Sequence, residues 1–221
     1  TAAAIWPPAQ IECTGPLGAD AMFDATLSGD DDSPPGQPLD IVRYEWIENP
    51  GSAGEALLGT GARIARRLSI GTHALALRVT DAHGDTSSTG KTITVADTSP
   101  PEFSLAASPA VLWPPDHRLV PVRLTWSARD ACSGQVTVRL AGVVSSEPDD
   151  APGTSDGRTL GDIADAAIGT GDDVVLLRAE RAAGGPGRVY TVRFVATDAA
   201  GHVTTGESVV AVPSSRNARR R

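Results

Sequence analysis

Residues 75–95 read LALRVTDAHGDTSSTGKTITV, and residues 191–212 read TVRFVATDAAGHVTTGESVVAV. Each is an apolar run at spacing two, a Thr-Asp-Ala-x-Gly turn and a second alternating run, the pattern of two strands joined by a tight connection. The turn chemistry explains the spacing. Asp81 and Asp198 carry short carboxylates that accept hydrogen bonds from nearby backbone N–H groups, and Gly84 and Gly201 take a positive φ at little steric cost. A hairpin of this kind in each half of the chain predicts that each half closes its own β-sandwich with it.

Working outward, Leu75, Leu77 and Val79 alternate as a half-buried strand should, as do Val120, Val122, Leu124 and Trp126 in LVPVRLTWSA. Val189, Thr191, Arg193 and Val195 face Tyr190, Val192 and Phe194 in a window that becomes apolar on both sides, which predicts a strand in the middle of its sheet. Long amphipathic patterns are absent, and only Asp162 to Ile168 suggests a short helix. At ADTSPPE, residues 96–102, a strand-like run ends in a double proline, which cannot donate ladder hydrogen bonds and favours a stiff, extended connector. The expected organisation is a first domain over 1–97, a linker over 98–101, a second domain over 102–213 and a basic tail over 214–221. One large sandwich with an internal proline-rich loop is the alternative.

Composition bounds the function classes. With 221 residues, 40% of them hydrophobic, the chain is too apolar for a disordered acidic polymer and long enough for two ordinary domains. No apolar run approaches the ~20 residues needed to span a bilayer, and no basic-then-apolar start marks an uncleaved signal peptide, so the chain reads as soluble or as a mature segment. A net charge of -8 opposes nucleic-acid binding, which needs a dense basic surface. Lys91 is the single lysine among 19 basic residues, the habit of a GC-rich genome.

Enzyme chemistry finds little support. There is no Gly-x-Ser-x-Gly elbow, no CxxC pair and no His-x-x-x-His pair, and His73, His83, His117 and His202 are isolated in the sequence. Paired carboxylates suited to glycoside cleavage arise by chance in any acidic β protein. Two acidic stretches stand out instead. The loop Gly29 to Ser33, with Asp30, Asp31 and Asp32, shares the outer pole of the first domain with the turn that carries Asp81 and Asp85. Flexible loops of carboxylates suit Ca2+, which takes six to eight hard oxygens, and solvated loop charge is the other reading. Glu147 to Asp173 holds eight carboxylates opposed by Arg158 alone, and reads as a long exposed loop of the kind that carries binding on rigid sandwiches; a merely solubilising or calcium-ordered loop is an equal alternative.

Strand direction bears on the cysteines. If strands alternate in both sandwiches, the turn after Cys13 and the turn around Cys132 both lie at the linker pole, so an inter-domain disulfide is expected there; two separate buried thiols are the alternative. Ile5-Trp6-Pro7-Pro8 and Leu112-Trp113-Pro114-Pro115 place a tryptophan before a diproline twice, as packed plugs or as exposed stacking platforms. Arg216, Arg219, Arg220 and Arg221 form a frayed tail or an anchor for an anionic surface.

The first half resembles the polycystic kidney disease (PKD) type of immunoglobulin-like domain over about 90 residues. The match runs through ECTGPLGADAMFDATLSGDDDSPPG, IVRYEWIE, LSIGTHALALRVTDAHGDTSS and ITVADTSPP, with Trp46-Ile47-Glu48-Asn49 in place of the usual WDFGDG. The second half resembles a module that follows PKD domains in secreted bacterial proteins, through LWPPxH at Leu112 to His117, LRAER at Leu177 to Arg181, GRVYT at Gly187 to Thr191 and TDAxG at Thr197 to Gly201. Members often carry cysteines near Val138 and Ala196, which this chain lacks. The resemblance implies an all-β chain of two immunoglobulin-like β-sandwich domains in tandem, extracellular and without catalytic residues. The expected function is a spacer or adhesion region facing a protein or polysaccharide surface. The alternatives are a carbohydrate-binding module using Trp6 or Trp113, and a self-assembling subunit of an extracellular fibre or surface layer.

Overall fold

A computed structural model of the chain describes residues 1–29, 41–151 and 156–215. It is all-β, with fourteen strands and no α-helix among the described residues, and the chain divides into two compact units. The first comprises Thr1–Ser99 and Ala131–Gly134, the second Pro100–Asp130 and Gln135–Arg221. Both are immunoglobulin-like β-sandwiches.

In the first unit, β1 (Gln10–Glu12), β7 (Thr86–Ala96), β6 (Gly71–Asp81), β3 (Ile41–Glu48) and β4 (Ala56–Thr60) form one sheet in that order, and β2 (Ala19–Asp24) pairs with β5 (Arg63–Leu68) in the other. β1 runs parallel to β7, after Ile5 has bridged to Asp24 on the opposite sheet. The first strand therefore switches sheets, and the switch falls at Trp6-Pro7-Pro8, where prolines withhold the N–H groups that would keep it paired. The core gathers Phe23, Trp46, Leu68, Leu77, Ile93 and Cys13. Trp46 Nε1 donates to the Gly61 carbonyl at 3.0 Å, which satisfies the one polar atom of a ring that is otherwise buried.

The second unit follows a seven-strand plan. β11 (Ile163–Ala164), β12 (Val174–Arg178), β9 (Leu119–Arg129) and β8 (Glu102–Ser108) form one sheet; β10 (Thr137–Ser145), β13 (Gly187–Thr197) and β14 (Val203–Pro213) form the other. This is the D-E-B-A and C-F-G arrangement of a constant-type immunoglobulin sandwich. β13 lies centrally, as its two-sided apolar pattern predicts, and Tyr190, Val192 and Phe194 are fully buried with Val122, Leu124, Leu140 and Leu177.

Both repeated hairpins form. In β6–β7, Asp81 Oδ1 accepts from His83 N at 2.9 Å and Asp85 N at 2.8 Å, and Gly84 has φ 93°. In β13–β14, Asp198 Oδ1 accepts from His202 N at 2.8 Å, and Gly201 has φ 95°. The helix expected over Asp162 to Ile168 does not form. Asp165 has φ 54°, outside the helical region, Ile163 and Ala164 pair with Leu177 and Leu176 as β11, and the Asp162 carbonyl accepts from Arg178 N.

Cys13 and Cys132 are joined by a disulfide across 119 positions, with Cα atoms 5.5 Å apart. Both sulfurs belong to the first unit, because Ala131–Gly134 is grouped with it and Cys132 is buried in its core cluster. The chain thus passes between the units three times, at Ser99/Pro100, Asp130/Ala131 and Gly134/Gln135.

Candidate functional site

The most concentrated polar chemistry in the described residues is a buried ionic cluster in the second unit. Its centre is Arg188, which stands on the inward face of β13 two positions before Tyr190, where strand alternation calls for an apolar side chain. The guanidinium is fully buried. Nη2 donates to Asp156 Oδ1 at 2.6 Å and to the Pro148 carbonyl at 3.2 Å, Nε donates to Glu147 Oε2 at 3.2 Å, and Nη1 contacts Asp162 Oδ2 and the Tyr190 hydroxyl. Tyr190 in turn donates to the Arg178 carbonyl at 2.8 Å.

A second guanidinium, Arg178 at the end of β12, lies under the same loop. Its Nη1 donates to the His117 carbonyl and its Nη2 to the carbonyls of Leu160 and Gly161. Glu180, fully buried just beyond, accepts from Thr159 Oγ1 and lies 3.1 Å from His117 Nδ1 through Oε2. A Cβ at Gly157 would stand 2.7 Å from His117 Nδ1, so glycine there lets the loop close over the imidazole. LWPPxH therefore supplies His117, LRAER supplies Arg178 and Glu180, and GRVYT supplies Arg188 and Tyr190. Three of the four segments behind the second resemblance meet at one place.

Burial sets the electrostatics. It raises the pKa of Asp156 above its ordinary value, reinforced by the Glu180 carboxylate, while Arg188 opposes the shift. Desolvation alone would lower the Arg188 guanidinium, but the Tyr190 hydroxyl with Glu147 and Asp156 outweighs it and holds the pKa above the usual arginine range. Burial also raises the Tyr190 phenol.

This geometry corrects the reading of Glu147 to Asp173 as an exposed excursion opposed only by Arg158. Asp156 and Asp162 are buried, Asp149 accepts from Gly161 N at 3.0 Å and Asp162 N at 2.7 Å, and Asp173 pairs with Arg123 at 2.8 Å. The opposing cations come from β9, β12 and β13, which a count along the loop does not see. Nor are the histidines isolated. His73 Nδ1 lies 2.5 Å from Glu48 Oε1 and His202 Nδ1 3.1 Å from Asp198 Oδ2, so with His117 at Glu180, three of the four face carboxylates.

Asp30, Asp31 and Asp32 lie outside the described residues. Asp81 is half-buried with Oδ1 engaged in its turn, and Asp85 is exposed. Among the described residues, no converging group of three or more potential metal ligands includes either. Trp6 is no open platform: its ring packs edge-on against Trp46 at 5.4 Å and Phe23 at 6.3 Å. Trp113 is half-buried beside fully buried Leu112. Among the described residues no helix is long and apolar enough to cross a membrane.

No protein-family model matches the chain, and no curated protein matches it. Among solved structures it is similar to the fibronectin(III)-like modules of Clostridium thermocellum CbhA, with 13% identity, 96% of this chain and 94% of that one covered, and a TM-score of 0.33. It is similar to murine CEACAM1b at 11% identity, covering 92% and 95% of the two chains with a TM-score of 0.29. A third is the Bacteroides ovatus mixed-linkage glucan utilization locus protein SGBP-B, in complex with a mixed-linkage heptasaccharide, at 16% identity and TM-score 0.28. There the likeness covers 94% of this chain and 43% of that one.

Proposed function

We propose that the chain is a non-catalytic accessory region of a secreted or cell-surface bacterial protein, a PKD-type immunoglobulin-like domain followed by a second sandwich module. It spaces or presents a neighbouring element and meets a protein or polysaccharide surface through its loops. The observation that carries this reading is the Cys13–Cys132 bridge, buried in the core of the first unit. Such a bond persists in an oxidising compartment, and it adds a covalent tie to a chain that already crosses between the units three times. The side chains that could do acid–base chemistry support the same reading, since His73, His117, Glu180 and Arg188 are held in hydrogen bonds that fasten loops to sandwiches.

The test has three arms. Thiol titration of the denatured, unreduced protein should find no free thiol, and two free thiols overturn the extracellular reading. Tryptophan fluorescence on titration with chitin, cellulose and host polysaccharides should show no saturable change; saturation replaces the spacer with a carbohydrate-binding module. Light scattering should report a monomer at all concentrations, and concentration-dependent growth points instead to an assembly subunit.

A further inference from the structure

The ionic cluster of the second unit is unevenly charged. Glu147, Asp156, Asp162 and Glu180 supply four carboxylates, and Arg178 and Arg188 supply two guanidiniums. Three of the acids are at least 98% buried, and one carboxylate oxygen from each of Asp156, Asp162 and Glu180 lies within 4.8 Å of the others.

Their hydrogen bonding is divided in the same way. Asp156 uses Oδ1 on Arg188, Asp162 uses Oδ2 on Arg188, and Glu180 uses Oε2 on Thr159 and His117. The second oxygens, Asp156 Oδ2, Asp162 Oδ1 and Glu180 Oε1, are buried without a hydrogen-bond partner among the described residues. The nearest cationic atoms to the latter two stand off. Arg178 Nε is 3.4 Å from Asp162 Oδ1 and 3.9 Å from Glu180 Oε1, also without a hydrogen bond, and Arg188 Nη1 is 4.0 Å from Glu180 Oε1. Leaving a buried anionic oxygen unsatisfied is costly, so such groups in folded proteins face an ion or a water.

We propose that Asp156, Asp162 and Glu180 form a buried site for one divalent cation of the hard, oxygen-seeking class, Ca2+ first among them. Three hard oxygens on partly separate segments suit Ca2+, whose Ca–O distances of 2.3 to 2.6 Å put oxygens on opposite sides of the ion roughly 4.6 to 5.2 Å apart. Two positive charges offset the excess of two carboxylates over guanidiniums. The donor set is all carboxylate, which disfavours the softer metals. Asp156 and Asp162 come from the loop after β10 and Glu180 from the segment after β12, so the ion fastens that loop to the sandwich. The site lies in the second unit, whereas Asp81 and Asp85 belong to the first, and it stands whether or not the chain is a spacer.

Isothermal titration of Ca2+ into the chelator-treated full chain tests it, read together with melting in Ca2+ and in chelator. The expected result is binding, a melting midpoint raised by about 4 °C or more at saturation, at least tenfold weaker binding in Asp156→Asn and Glu180→Gln, and Ca2+ binding retained in Asp30→Asn/Asp31→Asn/Asp32→Asn. The proposal is overturned if the wild type binds none of Ca2+, Mg2+ and Mn2+, the cluster then being balanced by protons or water. It is equally overturned if the triple loop variant abolishes binding. Should Asp156→Asn and Glu180→Gln fail to fold, the wild type and the triple loop variant still decide between these outcomes.

Discussion

Arg188 occupies a position that strand alternation reserves for an apolar side chain, and its charge is tolerable only because Glu147, Asp156 and Asp162, three carboxylates of the connection between β10 and β11, surround it. Truncating one partner of such a group leaves the others as buried, uncompensated charges, which costs about 3–5 kcal/mol. Arg188→Ala should therefore lose stability on that scale in urea unfolding. Arg188→Lys should recover little of it, because an ammonium cannot reach Glu147, Asp156 and Asp162 in the fixed fork a guanidinium provides. Near-equal stability of Lys and Arg at this position would show that charge alone matters. Tyr190 gives a pH signature. Burial raises its phenol above the ordinary value of 10.0, while the unfolded chain keeps the ordinary value. The unfolded state then loses its proton first, so the stability tied to the protonated phenol is complete below pH 10 and is lost as pH rises toward the folded value. Ultraviolet titration should show one of the two tyrosines ionising late and in step with alkaline unfolding, and Tyr190→Phe should remove that late phase.

At the scale of elements, the two Thr-Asp-Ala-x-Gly hairpins are the units most readable in advance. Their turn chemistry lies within five residues: a carboxylate that accepts backbone N–H groups, and a glycine at φ 93° or 95°. Ala at Gly84 or Gly201 meets open space, so its cost is backbone strain alone, about 1 kcal/mol each. Chemical denaturation should find the two variants similarly destabilised and additive in combination, because the turns belong to separate units. A markedly larger loss at one of them would mean that its turn carries contacts beyond its own hairpin. The stretch from Glu147 to Asp173 was poorly legible by comparison. Its acids read as solvated because their partners Arg123, Arg178 and Arg188 sit elsewhere in the sequence, and Asp162 to Ile168 read as a helix although Asp165 takes a positive φ and β12 captures Ile163 and Ala164.

For the whole molecule, the disulfide is the long-range constraint. Closing a loop of more than 100 residues removes chain entropy from the unfolded state worth roughly 4–5 kcal/mol in the chain-entropy account. Reduction, or the paired change Cys13→Ala/Cys132→Ala, should lower the calorimetric melting midpoint. The loss should fall on the first unit, because both sulfurs are buried in its core. An unchanged thermogram after reduction would contradict that assignment.

The sequence by itself determined the fold class, the two closing hairpins and the central place of β13, and it offered the bonding of Cys13 to Cys132 as one of two readings. These follow from side-chain alternation, turn chemistry and strand direction, which are written over a few neighbouring residues or propagate by simple counting along strands. Tertiary structure alone decided which sandwich holds the disulfide, that Trp6 packs against Phe23 and Trp46, and that Asp156, Asp162, Glu180 and Arg188 are buried together. The physical reason is that whether a charge is solvated or buried depends on which distant residues surround it. Arg188 lies 41 positions from Glu147 and 26 from Asp162, and no local pattern along the chain encodes that company.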